Sequence, residues 1–250
     1  MIHGHYDVIV IGIGGMGGAA AFELARRGRR VLGLEQYTLG HDRGSSHGRV
    51  RVIRKAYFEH PDYVPLLRRA YQRWYDLEQR TGSRLLTECG VLSLGAAASE
   101  VVRGVRESSR VHGLPVENLS GDDLRKRYPQ LRLPEDFVGV LERDAGVLAV
   151  EDCVLTHARE AQLAGADLRE GEPVHGWEPD GSGVIVRTAR HRYAAAKLVI
   201  TAGPWAGQML KELRVPLTVM RQVQLWFTPA DDSRFRRDVF PVWLADTPGG

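Results

Sequence analysis

Apolar residues follow two rhythms along this chain. Short runs of strand length, such as YDVIVI at 6–11, VLGL at 31–34 and LVI at 198–200, alternate with longer stretches in which apolar side chains recur every three or four positions. The runs read as buried strands and the stretches as amphipathic helices. Residues 61–80 place Val64, Leu67, Tyr71, Trp74 and Leu77 at helical spacing, so these aromatics are expected in the core. GVLSLG at 90–95 predicts a strand. Residues 99–113 and 121–128 predict helices, the second with Ser120 as N-cap and Pro129 as stop. Two strands are expected at 137–142 and 146–150, then a helix, DCVLTHAREAQLAG, ending on Gly165. PVHGWEP at 173–179, GVIVRT at 183–188 and KLVITAG at 197–203 predict a β segment, after which Pro204 opens a helix running to Leu213. Strands and helices alternate throughout, with no low-complexity linker and no internal repeat.

The opening unit carries candidate chemistry. YDVIVIGIGGMGGAAAFELARRGRRVLGLE, residues 6–35, reads as strand, glycine turn, helix and second strand ending in an acid. Gly12 lets the chain turn off the strand, Gly14 lets backbone N–H groups approach a pyrophosphate, and Gly17 lets the helix pack close to the strand. The helix N-terminus offers N–H donors and partial positive charge. Glu35 can accept from a ribose diol and would repel a 2′-phosphate, so the adenosine of FAD or NAD fits and NADP does not. LVITAGPW repeats the design, with an apolar strand stopping at a glycine and opening into a helix. A second backbone edge, at Ala202 and Gly203, is thereby expected against the cofactor, with Val174 of the β segment beside it.

Composition narrows the class. The chain has 250 residues, 43% hydrophobic and 26% charged, enough for one large or two interleaved domains. No apolar run approaches the roughly 20 residues of a bilayer crossing, and MIHGHYD leads straight into the first strand without a signal segment. A cytosolic or organelle-lumen protein is expected, cytoplasmic with peroxisomal as the alternative, and no membrane partner. Cys89 and Cys153 lack the spacing of a disulfide framework or a metal site, so two buried free thiols and no bound metal are expected. With 34 basic residues against 31 acidic ones, the net charge of +3 does not suggest nucleic acid. The local exception is HDRGSSHGRVRVIRKAY at 41–57, where Arg43, Arg49, Arg51, Arg54 and Lys55 face a single acid, Asp42. Such arginines can meet phosphates, a flavin ring or an anionic substrate.

GIGGMG, RGSSHGRVRVIRKAY, LVITAGPWA and RQVQLWF, in this order and spacing, resemble the FAD-dependent family of sarcosine, N-methyltryptophan and pipecolate oxidases, which are D-amino-acid-oxidase-like flavoproteins. The likeness runs from about residue 6 to the end of the chain, and RGSSHG followed by R-x-x-R is its specific part. It implies an α/β and α+β fold in which a Rossmann-like FAD-binding domain is interleaved with a mixed-sheet substrate domain. The expected division is 1–89 and 143–215 for the FAD-binding domain, and 90–142 and 216–250 for the substrate domain. The reaction implied is oxidation of a secondary amino acid to its imine, with dioxygen reduced to hydrogen peroxide, by a monomer.

By the same resemblance, Arg54 is the arginine of the substrate carboxylate, whose guanidinium fork suits such a clamp. Arg51 falls beside the flavin ring, and His47 matches a histidine next to the flavin, with a loop histidine of no chemical role as the alternative. Tyr57 matches a tyrosine near the substrate pocket, with a core tyrosine as its alternative. Ser45 and Ser46 would supply hydroxyls or N–H groups to the cofactor. Val50 stands where the family often carries another residue. The chain stops inside DTPGG, where family members continue. The implied flavin-tethering cysteine, oxygen-activating lysine and second cation for the substrate carboxylate fall beyond that point, and a C-terminally truncated chain is expected. Three other readings stay open: a NAD-linked dehydrogenase, a flavoprotein dehydrogenase passing electrons to a partner, and a non-catalytic dinucleotide-binding fragment.

Overall fold

The opening strand, Gly4–Ile11, lies inside a sheet of six strands in a computed structural model that describes residues 1–211 and 214–247. Across that sheet the order is Val174–Asp180, Gly183–Thr188, Arg192–Ile200, Gly4–Ile11, Val31–Leu34, Asp167–Arg169. The last four are mutually parallel and the first two extend them antiparallel. Ile9, Ile11, Leu32, Leu34, Val184, Val186 and Tyr193 form the apolar cluster at its centre. The glycine helix, Gly15–Ala25, packs against the helix Val150–Leu163. At Gly18 a Cβ would meet the His157 Cβ at 3.4 Å, an ordinary van der Waals contact. This is the Rossmann-like architecture implied by the sequence, and it occupies Met1–Val50 and Val150–Gln224 as one compact unit.

Arg51–Ala149 and Leu225–Gly250 make the second unit. Its four-stranded sheet runs Val242–Ala245, Val91–Ala96, Phe137–Glu142, Glu117–Leu119, with the first pair parallel and the others antiparallel. A three-stranded sheet runs Val50–Ile53, Gly146–Ala149, Leu86–Glu88. The chain thus changes units after Val50, Ala149 and Gln224, whereas the sequence reading places its changes after residues 89, 142 and 215. The first difference has a packing cause. Ala56 and Val64 share an apolar cluster with Val102, Val105 and Val140, which binds the segment after Val50 to the second unit.

The helices carry local caps, of which the sequence reading named Ser120. Ser120 closes a capping box with Asp123, Ser99 caps Glu100–His112, and Gly82 ends Val64–Thr81 in the left-handed region. Of the aromatic positions expected on this last helix, Tyr71 is buried and Trp74 only half-buried. Cys153 is buried and in no disulfide, but Cys89 is half-buried, because it lies just past the end of a short strand. The expected helix after Pro204 is a single 3-10 turn followed by Ala206–Met209, and its final residues, 212 and 213, lie outside the described residues. Among the described residues, no helix is long and apolar enough to cross a membrane.

Candidate dinucleotide site and arginine loop

The C-terminal ends of Gly4–Ile11 and Arg192–Ile200 open onto a cavity of about 500 Å³ in the first unit. Parallel strands leave such a crevice where their connections diverge. Gly12, at φ +86°, turns the chain off the strand, and a Cβ there would stand 2.6 Å from the Thr201 carbonyl oxygen. Thr201 also locks the turn from the other strand: its N–H donates to Ile11 O at 2.8 Å, and its hydroxyl lies 2.8 Å from Gly12 O. Gly17 does not line the cavity; it is where the helix closes on the turn, and a Cβ there would collide with Gly12 O.

Ser46 supplies a cap that the glycine helix lacks locally. Gly14, the N-cap, has no side chain to offer, and Gly15 N–H donates instead to Ser46 Oγ at 3.0 Å. No acidic residue occupies the first turn of the helix, so its positive end is left for an anion. Glu35 is 4% exposed and points back into the turn. Its carboxylate accepts from Ile13 N–H at 2.9 Å and from Tyr37 N–H at 3.0 Å, with His41 Nε2 3.4 Å away. The acid thus fixes the glycine turn before any ligand arrives, a role not read from the sequence, while still lining the cavity.

Of the sequence-derived cofactor residues, the cavity gathers Gly12, Gly14, Glu35, Ser45, Ser46, Val174, Ala202 and Gly203. It adds Gln36, His41, Thr201 and Trp205, which sequence reasoning did not single out. Thr201 had a signal, its place at the strand end of LVITAG; His41 had none, since its ring reaches the site through a loop. A bare-backbone turn, an uncompensated helix N-terminus and a buried acid at the second strand together fit the diphosphate and ribose of a dinucleotide.

His47 lies in the same unit, next to a backbone held by Glu151. The Glu151 carboxylate accepts from Gly48 N–H at 2.7 Å and Arg49 N–H at 3.1 Å, while Val150 N–H donates to Arg49 O. These bonds sustain a positive φ at both Gly48 and Arg49. Burial alone would raise the Glu151 carboxyl, yet the Arg49 and Gly48 N–H groups and the charge of His47 bring it below the ordinary carboxylate range.

Arg51, Arg54 and Tyr57 belong to the second unit. The Arg54 guanidinium lies 4.3 Å from the Tyr57 ring centre and 5.3 Å from that of Phe58. Its side chain is 13% exposed, and its Nη2 reaches both Glu59 oxygens at 3.3 Å. Its Nε is buried and has no hydrogen-bond partner among the described residues. Tyr57 is half-buried, facing this guanidinium and the Tyr63 ring.

Sequence comparison matches residues 7–250 to the FAD dependent oxidoreductase (DAO) family. The chain belongs to that family. Monomeric sarcosine oxidase of Streptomyces avermitilis is 44% identical over 240 residues, 96% of this chain and 62% of that protein. N-methyl-L-tryptophan oxidase of Yersinia pestis is 35% identical over 243 residues, 97% of this chain and 65% of that protein. A solved structure of NikD, an unusual amino acid oxidase essential for nikkomycin biosynthesis, superposes with a TM-score of 0.77 at 34% identity, covering 85% of this chain and 55% of that one. The chain therefore spans a little under two thirds of the curated relatives it matches. FAD is the cofactor of this oxidoreductase family, and the glycine turn with Glu35 is the part of the chain suited to its ADP half.

Proposed function

We propose that the full-length protein is a FAD-dependent oxidase of secondary amino acids, N-methyl or cyclic ones such as sarcosine, yielding an imine and hydrogen peroxide. The observation that carries this is Arg54. The guanidinium is largely buried and packed on aromatic faces, and its Nη2 is paired with the exposed Glu59 at 3.3 Å, yet its Nε has no acceptor among the described residues, a cost that a second anion in the plane of the fork would relieve. A substrate carboxylate supplies two oxygens in the plane of the fork.

FAD when bound accepts the hydride that leaves the substrate's C–N unit, and dioxygen takes the two electrons onward to become hydrogen peroxide. This chain's residues hold and orient. Gly12, Gly14, Ser45, Ser46, Ala202 and Gly203, which line the cavity, would cradle the cofactor, with Val174 against it and Glu35 accepting from ribose. By the family resemblance, Arg51 and His47 would serve the flavin ring, where a cation favours the anionic reduced form, and Tyr57, in contact with the Arg54 guanidinium, would serve the substrate. The sarcosine and N-methyltryptophan oxidases among the relatives support the substrate class, and the monomeric name of the former supports a monomer. A cytoplasmic location goes with this reading.

Arg54→Lys in the full-length protein tests it. Lysine keeps the charge and loses the fork, so KM for sarcosine should rise at least about tenfold while the flavin-to-protein ratio stays normal. Equal loss of flavin and activity would assign Arg54 to the cofactor and defeat the reading.

A further inference from the structure

We infer that Glu142 is a positioning residue for Arg54, its two carboxylate oxygens fixing the backbone that immediately follows the arginine. The inference rests on the reading of Arg54 as the clamp for the substrate carboxylate. Glu142 ends the strand Phe137–Glu142, an inner strand of the four-stranded sheet, where it pairs with Val91. One of its oxygens accepts from Lys55 N–H at 2.8 Å and the other from Ala56 N–H at 2.9 Å. On the near side of Arg54, the Tyr71 hydroxyl donates to Ile53 O at 3.1 Å. The peptide groups on both sides of the arginine are thus tied to a helix and a sheet, and Ala56 is anchored in an apolar cluster with Val64, Val102 and Val105.

The chemistry of Glu142 makes a passive role unattractive. The residue is 4% exposed, and burial pushes its carboxyl above the ordinary range despite the Ala56 and Lys55 N–H groups. Lys55 does not pair with it directly, because its ammonium reaches Asp144 and lies 4.3 Å from the centre of the Tyr71 ring. Replacing a buried ion by packed apolar groups is often neutral or stabilising, so stability alone gives little reason for a carboxylate here. Two consecutive N–H groups turned the same way need two acceptor atoms on one rigid support, and an inner strand provides one. The result is a loop whose path is fixed while the Arg54 Nε has no acceptor among the described residues. Binding a carboxylate then requires little reordering, which is where preorganisation adds affinity.

Glu142→Gln keeps the shape but leaves one acceptor, with an amide NH2 facing the other N–H. In the full-length protein, its effect is read beside Arg54→Lys and the double variant. The measurements are flavin content, KM and kcat with sarcosine, and acetate affinity from the flavin absorbance spectrum. Glu142→Gln should raise KM and the acetate dissociation constant on the order of tenfold, the scale of one lost charge-assisted hydrogen bond, with kcat and flavin content near normal. The double variant should bind no worse than Arg54→Lys alone, because both changes act on one clamp. If Glu142→Gln proves too unstable to purify, Tyr71→Phe loosens the other side and should raise KM several-fold with kcat retained. The inference is overturned if Arg54→Lys raises KM while Glu142→Gln, or Tyr71→Phe in its place, leaves it unchanged, or if the double variant shows the product of the two single effects. If Arg54→Lys itself leaves KM unchanged, the reading of Arg54 falls first and this inference with it.

Discussion

Glu35→Gln separates a carboxylate that only greets a ligand from one that builds the site. In the structure the side chain accepts from Ile13 N–H at 2.9 Å and Tyr37 N–H at 3.0 Å, at a position 4% exposed. Glutamine can satisfy one of these donors, and its NH2 must then face the other. A charge-assisted hydrogen bond contributes roughly 1.5–3 kcal/mol, and a stranded buried donor costs a similar amount. A net loss of about 2 kcal/mol is expected, which is about thirtyfold in an equilibrium constant. The assay is urea unfolding of the flavin-free, full-length protein, where the midpoint should fall with little change in slope. The flavin-to-protein ratio of the purified variant should fall as well, since the glycine turn and the ribose acceptor are perturbed together. Unchanged stability of the flavin-free protein with weakened FAD retention would refute the structural part of the argument, leaving Glu35 as a ribose ligand alone. No change in either would refute both parts.

Two further outcomes follow from the same packing. Gly17→Ala should abolish folding of the nucleotide unit or strip it of flavin, because the new methyl would collide with the Gly12 backbone carbonyl, which has no room to yield; a soluble variant with normal flavin content would contradict the close approach. Glu172 is buried, which by itself would raise its carboxyl, yet hydrogen bonds from Tyr193, Thr188 and His191 hold it below the ordinary value near 4.5. A lowered value in the folded state means that its stabilisation is present above that ordinary value and is lost as pH falls through the folded one. Glu172→Gln should therefore flatten the acid-induced loss of stability in thermal unfolding, and an unchanged acid slope would count against this network.

Much of the nucleotide unit was legible because its determinants are local. Strand, glycine turn and helix are written in adjacent residues, and the Ser120 box and the glycine stops act within a turn of their own helices. The arginine block was legible as a charge anomaly, though not as a segment divided between the two units after Val50. Several strands escaped notice because they are only three residues long, as at Leu86–Glu88, Glu117–Leu119 and Asp167–Arg169. Runs of that length carry no periodicity, and they become strands only when a neighbour offers its N–H and C=O groups.

The sequence by itself determined that a dinucleotide turn opens the chain, that strands and helices alternate after it, and that Arg54 is a candidate anion clamp. Tertiary structure alone decided which groups hold those parts. Ser46 caps a helix that begins 31 residues earlier, and Thr201 reaches Gly12 O across 189 residues. Glu35 turns its carboxylate onto the glycine turn, and Glu142 reaches back 87 residues to the peptide after Arg54. The reason is physical: propensity and periodicity act over one or two turns of chain. A buried hydrogen bond is settled by whichever donor and acceptor the packed core leaves facing one another, and their separation along the sequence has no bearing on it.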